Sequence, residues 1–519
     1  MSHTGYASLI NTIIIKIILH TYLYKMRIKY KKKDLYRSYE LIVSSAQNSL
    51  IQGKISDTIK LIKCAAEYQY NINCIFTDDR LDYLLIQLSN LLVINSDNYH
   101  AIQDNVILYD SFVWDNRGLT QQYLDALSNA KKYNIILVHN TCYSDKSKKT
   151  IEYCNKHNIP TIELGTGSYE DRQNILIRTI ESFKPEKVLF HLYPSDILPL
   201  STFYAYKQIT KYQINLTDHA FWLGTRLIDY SFEFRNQGAN ISLKKRNLNC
   251  SQLLLLPYYP WTEDSPFRGF PSDTDGKVKL FSGGSFYKYE GGDGAFLRIV
   301  KKILDENPNV VFLLAGDGYR ENFERFVHDN HFERRFFLIG NRPDINQVMK
   351  NIDIYINSYP MIGGLMSQYA AINGKPILTY KDRSVEDVIC IKFYKKLAID
   401  DMDELCIEAN KLIRDEKYRR AQGKMIREMI INQYEFRNAF SFAFNHNASP
   451  NTITDMDIYE SFYESYLNRI NDGKNGLFLE RLLQNNCPQA LHWKMSFNLY
   501  LERIKHKLHI VRLRITGRK

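Results

Sequence analysis

Cysteine is scarce in this sequence, and its positions form no pattern. The 519 residues include eight cysteines, and no two of them have the spacing of a zinc site. Their arrangement also differs from the disulfide framework of a small secreted domain. With 45% hydrophobic and 24% charged residues, the chain is neither collagen-like nor disordered throughout. The composition therefore predicts a globular protein with reduced thiols in a cytoplasmic compartment.

The sequence also lacks an uninterrupted apolar run of about 20 residues, the length that a membrane-spanning helix needs. The isoleucine-rich stretch at residues 9–23 comes nearest, but Lys16 and His20 interrupt it. Thr12, Lys16 and His20 recur at every fourth position and would share one helical face. This pattern favours an amphipathic helix in a membrane interface, with a spanning anchor or a start at Met26 as alternatives. No small-residue cleavage site follows the run, so we expect no cleavable signal.

Signatures of nucleic-acid-binding folds are absent, although the formal net charge is +11. The basic residues concentrate near the two ends of the chain, at Lys29, Lys31, Lys32, Lys33, Arg503, Lys505, Lys507, Arg512, Arg514, Arg518 and Lys519. Such ends favour peripheral contact with an anionic membrane, where each basic residue gains about 1 kcal/mol. A solvated basic tail is the alternative. We expect no nucleic-acid partner.

Hydrophobic periodicity divides the chain into five regions. Residues 1–33 form a basic amphipathic or membrane-proximal segment, and residues 34–100 show helical spacing. Short apolar runs then alternate with helical patterns over 101–240 and again over 241–425, and residues 426–519 are helical with a basic tail. This alternation predicts two Rossmann-like α/β domains with parallel sheets, a helical N-terminal extension and a helical C-terminal tail. In such sheets ligands bind beyond the carboxyl ends of the strands, so a ligand is expected between the domains.

The predicted strands fall into two series separated by a connector rich in Asn, Lys and Pro. The connector spans roughly residues 236–275 and includes a strand-like segment at 253–256. The strands predicted on either side of it lie at residues 106–109, 135–138, 161–164, 188–190 and 213–216, and then at 279–281, 310–314, 336–339, 354–356 and 376–378.

Two glycine-containing loops follow strands of the second domain. The first contains Gly283, Gly284 and Lys288; its glycines free the backbone to wrap an anion, and the lysine offers a charge for a diphosphate. In the second, Gly363 and Gly364 open a helix whose N-terminal N–H groups suit a pyrophosphate. A tight turn and a helix start that only packs are the alternatives.

The stretch at residues 310–376 resembles the nucleotide-sugar-binding half of GT-B glycosyltransferases of the group 1 and protein O-GlcNAc transferase kinds. The likeness lies in the Ala-Gly-Asp-Gly strand end at 315–318, the strand end at Gly340, the Asp-Ile-Tyr strand at 353–355 and the Gly-Lys-Pro turn at 374–376. It implies a nucleotide-sugar donor and no metal or cofactor. The donor-binding residues then expected are Gly283, Gly284, Lys288, Gly316, Gly340, Gly363, Gly364, Leu365, Met366 and Ser367.

Two positions depart from the pattern of that family. Many retaining members carry a Glu-x7-Glu pair where this chain has Met361 and Tyr369. The O-GlcNAc branch has an aspartate for the ribose at the second position. The usual carboxylate contact with the nucleotide is therefore missing there. Either Glu386 or Asp387, just downstream, replaces it, or nucleotide binding is weakened.

Candidates for catalysis and acceptor binding follow strands of the first domain. Asp218 and His219 come after its last predicted strand, so the histidine is expected in the cleft as a base toward an acceptor hydroxyl, oriented by Asp218. The turn after the first strand contains Arg117, Gly118 and Thr120, and its N–H groups suit a hydroxyl-rich or anionic ligand. A structural histidine and an ordinary turn are the alternatives. Lesser candidates at strand ends are His191 and Asp196.

Taken together, the motifs predict a metal-independent glycosyltransferase. It would transfer a sugar from a nucleotide-sugar donor to a glycan, lipid-linked or protein acceptor, in cell-surface glycan synthesis. The expected location is the cytoplasm, peripheral at the inner face of the membrane. One alternative is a catalytically inactive GT-B module that acts as a binding or scaffold protein in a glycoprotein pathway. Another is a phosphate-dependent α/β enzyme such as an epimerase or a phosphorylase.

Overall fold

The computed structural model describes residues 26–93, 98–113, 115, 119–140, 147–262, 265–458, 461–471 and 474–515. The predicted interfacial helix at residues 9–23, and Arg117 and Gly118, lie outside the described residues.

In the described residues before the first sheet there are three helices, as the periodicity of residues 34–100 predicts. They are α1 (Lys32–Ile51), α2 (Ile55–Ile72) and α3 (Asp79–Leu92). Gly53, with φ +70°, forms the turn between α1 and α2, a conformation that favours glycine. The carboxylate of Asp78 accepts a hydrogen bond from Arg80 N and so caps α3. The buried faces of these helices pack against the first α/β domain and against the C-terminal helices.

The first sheet has seven parallel strands in the order β3-β2-β1-β4-β5-β6-β7. The strands are β1 (Ile102–Asp110), β2 (Asn134–His139), β3 (Thr161–Glu163), β4 (Pro185–His191), β5 (Thr210–Ile214), β6 (Tyr230–Glu233) and β7 (Leu253–Leu255). The helices that connect them are α4 (Leu119–Asn129), α5 (Lys148–Lys156), α6 (Tyr169–Phe183), α7 (Leu198–Phe203) and α8 (Asn236–Lys245). Residues 105–110 of the interior strand β1 are buried in succession, as expected for a parallel strand covered on both faces.

The last two strands of this sheet differ from the prediction made from the sequence. Strand β6 was not predicted, because its polar Ser231 and Glu233 break the apolar run; both are buried, and the Ser231 hydroxyl donates to Glu233 Oε1 at 2.8 Å. Strand β7, from the predicted connector, pairs with β6 and extends the first sheet to Leu255. The boundary expected at residue 240 therefore falls inside α8.

The second sheet has six parallel strands in the order β10-β9-β8-β11-β12-β13. Its strands are β8 (Val278–Gly283), β9 (Val310–Ala315), β10 (Phe336–Gly340), β11 (Ile354–Ile356), β12 (Ile377–Tyr380) and β13 (Ala398–Ile399). The helices of this half are α9 (Ala295–Glu306), α10 (Glu321–Asp329), α11 (Ile345–Asn351), α12 (Gly364–Ile372), α13 (Ser384–Ile389), α14 (Met402–Arg414) and α15 (Glu416–Met429). Two parallel sheets, each with its own core, confirm the predicted pair of Rossmann-like domains.

The helices described after the second domain are α16 (Gln433–His446), α17 (Ser461–Asn471), α18 (Lys474–Asn486) and α19 (Trp493–Ile515). Asn432 and Glu435 form a reciprocal capping box at the start of α16. This helix returns to the first domain, where Phe440 packs against Tyr123 and Phe232. Among the helices that the structure describes, none is both long enough and apolar enough to cross a membrane.

Candidate functional site

A cavity of about 870 Å³ lies between the two sheets. Its first wall comes from segments that follow β5 and β6, and its second wall from segments that follow β8, β11 and β12. These are carboxyl ends of parallel strands, where open α/β sheets bind their ligands.

A buried carboxylate organises the first wall. Asp218 Oδ1 accepts a hydrogen bond from Arg235 Nη2 at 2.9 Å and lies 3.1 Å from His219 Nδ1. Burial by itself would raise the pKa of Asp218, but the Arg235 guanidinium and the hydrogen bonds from His219 and Arg235 hold that pKa well below its usual range. Asp218 is therefore a fixed anion that orients His219, whose side chain is 34% exposed and lines the cavity.

Residues far away in the sequence hold this loop in place. The buried Arg246 donates from Nη2 to the backbone oxygens of Asp218 and Ala220, at 2.8 Å and 2.6 Å. From the helical extension, Asn73 donates to the His219 backbone oxygen at 3.0 Å. Gly238 of α8 packs directly against the carboxylate, since an added Cβ would lie 2.7 Å from Asp218 Oδ2.

The second wall includes the N-terminus of α12. Asn357 fixes its start, because Oδ1 accepts from Gly363 N at 3.0 Å and Nδ2 donates to Ser367 Oγ at 2.8 Å. The first intrahelical bond runs from Ser367 N to Gly363 O. The N–H groups of Gly364, Leu365 and Met366 find no acceptor in the part of the chain that the structure describes. Gly364 and Leu365 line the cavity.

The glycine loop after β8 supports this wall from behind. Gly316, with φ +139°, packs so closely on the Gly284 backbone that an added Cβ would lie 2.0 Å from Gly284 O. Gly316 N donates to Gly340 O at 3.0 Å, and Gly283 faces Met366. Of the ten predicted donor-binding residues, the structure brings Lys288, Gly364 and Leu365 to the cavity lining and places the other seven outside it: Gly283, Gly284, Gly316, Gly340, Gly363, Met366 and Ser367.

The two carboxylates suggested as replacements at the nucleotide are engaged elsewhere. Glu386 Oε1 accepts from Leu397 N at 2.9 Å. Asp387 accepts from Asn236 N at 2.9 Å and from Gln237 N at 2.7 Å, at the start of α8. Neither residue lines the cavity. The Tyr369 hydroxyl donates to Trp261 O at 2.7 Å, so this side chain points into the connector between the domains.

The candidates at the end of β1 form a separate buried cluster. Thr120 donates its hydroxyl proton to Asp110, and His191 Nδ1 lies 2.9 Å from Asp110 Oδ2. Burial would raise the pKa of Asp110, but His191 and the hydrogen bonds from His191, Thr120 and Val113 lower it overall. Asp196 accepts from the Ser111 hydroxyl at 2.7 Å. Thr120, His191 and Asp196 do not line the interdomain cavity.

Two polar residues of the first wall, Arg235 and Gln237, were not predicted from the sequence. Both line the cavity. Gln237 is buried, and its Oε1 atom finds no hydrogen-bond donor among the described residues, so it can accept from a ligand. They stand at the start of α8, and α8 follows a strand that the sequence did not reveal.

Neither a protein-family model nor a curated protein matches this chain. Among solved structures, the Staphylococcus aureus protein TarM, in complex with fondaparinux, alpha-GlcNAc-glycerol and UDP, is 9% identical. Its TM-score is 0.50, over 66% of this chain and 100% of TarM. Anabaena HepE in complex with UDP and glucose is 12% identical, with a TM-score of 0.49 over 66% of this chain and 100% of HepE. The Thermobaculum terrenum O-GlcNAc transferase is 13% identical, with a TM-score of 0.46 over 88% of this chain and 84% of that protein.

The match to TarM agrees with the topology. Two fully parallel sheets of seven and six strands face one cavity with their carboxyl ends, and the final domain is linked back to the first by a helix. At 9% identity the match shows the fold alone. The chain has the GT-B glycosyltransferase fold.

Proposed function

We propose that this chain is a glycosyltransferase that binds a nucleotide sugar in the interdomain cavity. The observation that carries the proposal is the N-terminus of α12, where Gly364 and Leu365 line the cavity and three successive N–H groups find no acceptor in the described residues. Such a terminus carries partial positive charge and suits a diphosphate. Lys288 lines the same wall and adds a full positive charge. A volume of about 870 Å³ is ample for such a ligand.

In the proposed reaction the second wall stabilises the leaving diphosphate. The helix N-terminus and Lys288 neutralise the charge that develops on it, so a metal ion is not needed for that role. His219 accepts the proton of the acceptor hydroxyl, while Asp218 holds the imidazole from Nδ1. Gln237 Oε1 accepts a hydrogen bond from a ligand hydroxyl or amide.

The finer identity of the reaction rests on the ends of the chain and on the donor site. The acceptor that we propose is a glycan, a lipid-linked sugar or a protein in cell-surface glycan synthesis. The basic residues near both ends suit work at the inner, cytoplasmic face of a membrane. The first wall, with His219, would receive the acceptor hydroxyl.

One observation favours a second candidate, a catalytically inactive module that binds or scaffolds in a glycoprotein pathway. The carboxylate expected near the ribose is replaced by Tyr369, whose hydroxyl is committed to Trp261 O. Glu386 and Asp387 are committed to backbone N–H groups. A site without that contact loses part of its nucleotide affinity, and an inactive module would show none.

A substitution at Gly364 tests the donor site without threatening the fold. An added Cβ would meet Val388 at an ordinary 3.6 Å, and an acidic residue at a helix N-terminus stabilises the helix. Gly364→Asp therefore keeps the fold but places a negative charge where the diphosphate would bind. We expect UDP or GDP to raise the melting temperature of the native protein and of Gly364→Ala, and to leave that of Gly364→Asp unchanged. Lys288→Ala is expected to lose sugar transfer, because it removes the positive charge that would neutralise the diphosphate.

Transfer assays over a panel of nucleotide sugars complete the test. His219→Gln should bind nucleotide like the native protein but lose at least 100-fold in transfer or donor hydrolysis, because the proposed base is gone. A native protein whose melting temperature no nucleoside diphosphate raises would favour the inactive module. Full activity in both Gly364→Asp and Lys288→Ala would refute the donor site. Conversion of the donor without an acceptor would indicate an epimerase.

A further inference from the structure

We infer a second ligand site, which binds a phosphate group, in a cleft of about 400 Å³ that shares no residue with the interdomain cavity. The cleft lies between α2, α6 and α18. We call it the basic cleft and define it by Lys60, Lys63, Glu67, Arg172, Ser195 and Asn486.

Three cationic side chains line the basic cleft. Lys60 and Lys63 lie one turn apart on α2, and Arg172 reaches the cleft from α6. In the described part of the chain none of them makes an ion pair or a side-chain hydrogen bond. Arg172 Nε is moreover buried without an acceptor. A buried donor left unpaired costs about 1–3 kcal/mol, so an anion bound to this guanidinium would be favoured.

The net charge of the basic cleft favours phosphate over a carboxylate. Among the described residues that line it, Glu67 alone is acidic, and Glu67 Oε1 already accepts from the Tyr193 hydroxyl at 3.2 Å. Three cations and one carboxylate leave a charge of +2. A phosphate monoester carries about −1.5 to −2 at neutral pH and offers three acceptor oxygens, which match two lysines and one planar guanidinium.

The position of the basic cleft suggests what the phosphate belongs to. Ser195 follows β4, and Arg172 lies in the first turn of α6, which follows β3. The cleft therefore opens at the carboxyl edge of the first sheet, the edge that also carries His219 after β5. If the proposed function holds, a phosphate on the acceptor would anchor here while its hydroxyl approaches His219. Phosphate binding itself does not depend on that function.

The test is calorimetric titration of inorganic phosphate into the Lys288→Ala protein, in which the proposed donor site is disabled, at constant ionic strength. We expect binding that weakens at least tenfold in Arg172→Gln and in Lys63→Gln. Matched controls are Arg178→Gln, an exposed arginine of the same helix outside the cleft, and Lys54→Gln, an exposed lysine just before α2. Both controls should bind phosphate unchanged, and thermal melts verify that each variant is folded.

Three outcomes would overturn the inference. Equal affinity in Arg172→Gln and Arg178→Gln would place the phosphate elsewhere. Absence of binding at millimolar phosphate would remove the site altogether. Retention on vesicles that contain phosphatidate, without binding of free phosphate, would indicate a membrane-facing surface instead of a cavity. Phosphate binding in a native protein that ignores every nucleotide would leave the basic cleft standing while the proposed glycosyltransferase function fails.

Discussion

The carboxylate of Asp218 contacts several parts of the first wall of the cavity. It is 1% exposed, pairs with Arg235, holds His219 through Nδ1 and packs against Gly238 of α8. A buried charge of this kind is tolerated only when its partners are present. The orientation of His219 therefore depends on the ion pair between Asp218 and Arg235, in which the carboxylate is shielded from bulk water.

We expect Asp218→Asn to lower the free energy of unfolding at pH 7 by about 3–5 kcal/mol, because Arg235 is left as a buried charge without a partner. The folded-state pKa of Asp218 is depressed, so its contribution to stability is present above the unfolded pKa of about 3.9 and is lost as the pH falls toward the folded value. The difference in free energy of unfolding between the native protein and the variant should thus shrink below about pH 4. Urea unfolding at a series of pH values measures this difference.

A double variant supplies the control for that prediction. Asp218→Asn with Arg235→Gln removes both charges, and it should recover part of the stability that the single variant loses. If the double variant is as unstable as the sum of the two single variants, the pair contributes nothing, and another contact holds His219.

Individual site residues were predictable where they lie in a glycine-containing loop after a predicted strand. Lys288 and Gly364 lie in the segments that follow β8 and β11, and both segments are visible in the sequence. Arg235 and Gln237 gave no such signal, because their partners Asp218 and Asp387 are distant in sequence. The role of Gly316 was invisible for the same reason, since it depends on a backbone contact with another loop.

Among the elements, α8 is capped at its N-terminus by a residue of the second domain. The side chain of Asp387, on α13, accepts hydrogen bonds from the backbone N–H groups of Asn236 and Gln237. A carboxylate at a helix N-terminus satisfies unpaired donors and complements the helix dipole. Here the same interaction also links the two halves beside the cavity, because Gln237 lines it.

We expect Asp387→Ala to lower the free energy of unfolding by about 1–2 kcal/mol, as loss of a helix cap does. It should also weaken nucleotide binding, because α8 and α13 are no longer held together at the cavity. Asp415→Ala is the matched control: Asp415 caps α15 through Tyr418 N at 2.9 Å and does not line the cavity. Asp415→Ala should lower the free energy of unfolding and leave nucleotide binding unchanged. Denaturation and nucleotide titration of both variants distinguish the two effects, and equal nucleotide affinity in both would disprove the link.

Strands and helices were predictable from the sequence where their apolar residues form a clear pattern. All five strands expected in the second sheet are present, because each contains consecutive apolar residues that the sequence shows. Strand β13, of two residues, is too short to leave a pattern. Strand β7 was recognised as a strand but not assigned to the first sheet, since pairing with β6 is a long-range property that local sequence does not encode.

At the scale of the whole molecule, C-terminal segments pack against earlier parts of the chain in two places. Helix α16 leaves the second domain and packs on the first sheet, where Lys187 Nζ donates to Phe444 O at 2.8 Å. The C-terminal helices then pack on the N-terminal extension, and Arg27 and Tyr30 both contact the buried Glu480. The first domain is therefore completed by segments that follow the second domain in sequence, so its stability depends on residues well beyond its own sheet.

Phe440 of α16 provides the test of that dependence. It is 1% exposed, and its ring centroid lies 5.6 Å from those of Tyr123 and Phe232 in the first domain. Phe440→Ala should lower the free energy of unfolding by about 3–5 kcal/mol through loss of buried area and a residual cavity. Phe442, on the same helix, is 46% exposed, so Phe442→Ala should change the free energy of unfolding by about 0.5 kcal/mol or less. Urea unfolding followed by circular dichroism measures both variants, and a comparable loss in the two would show that α16 does not anchor the first domain.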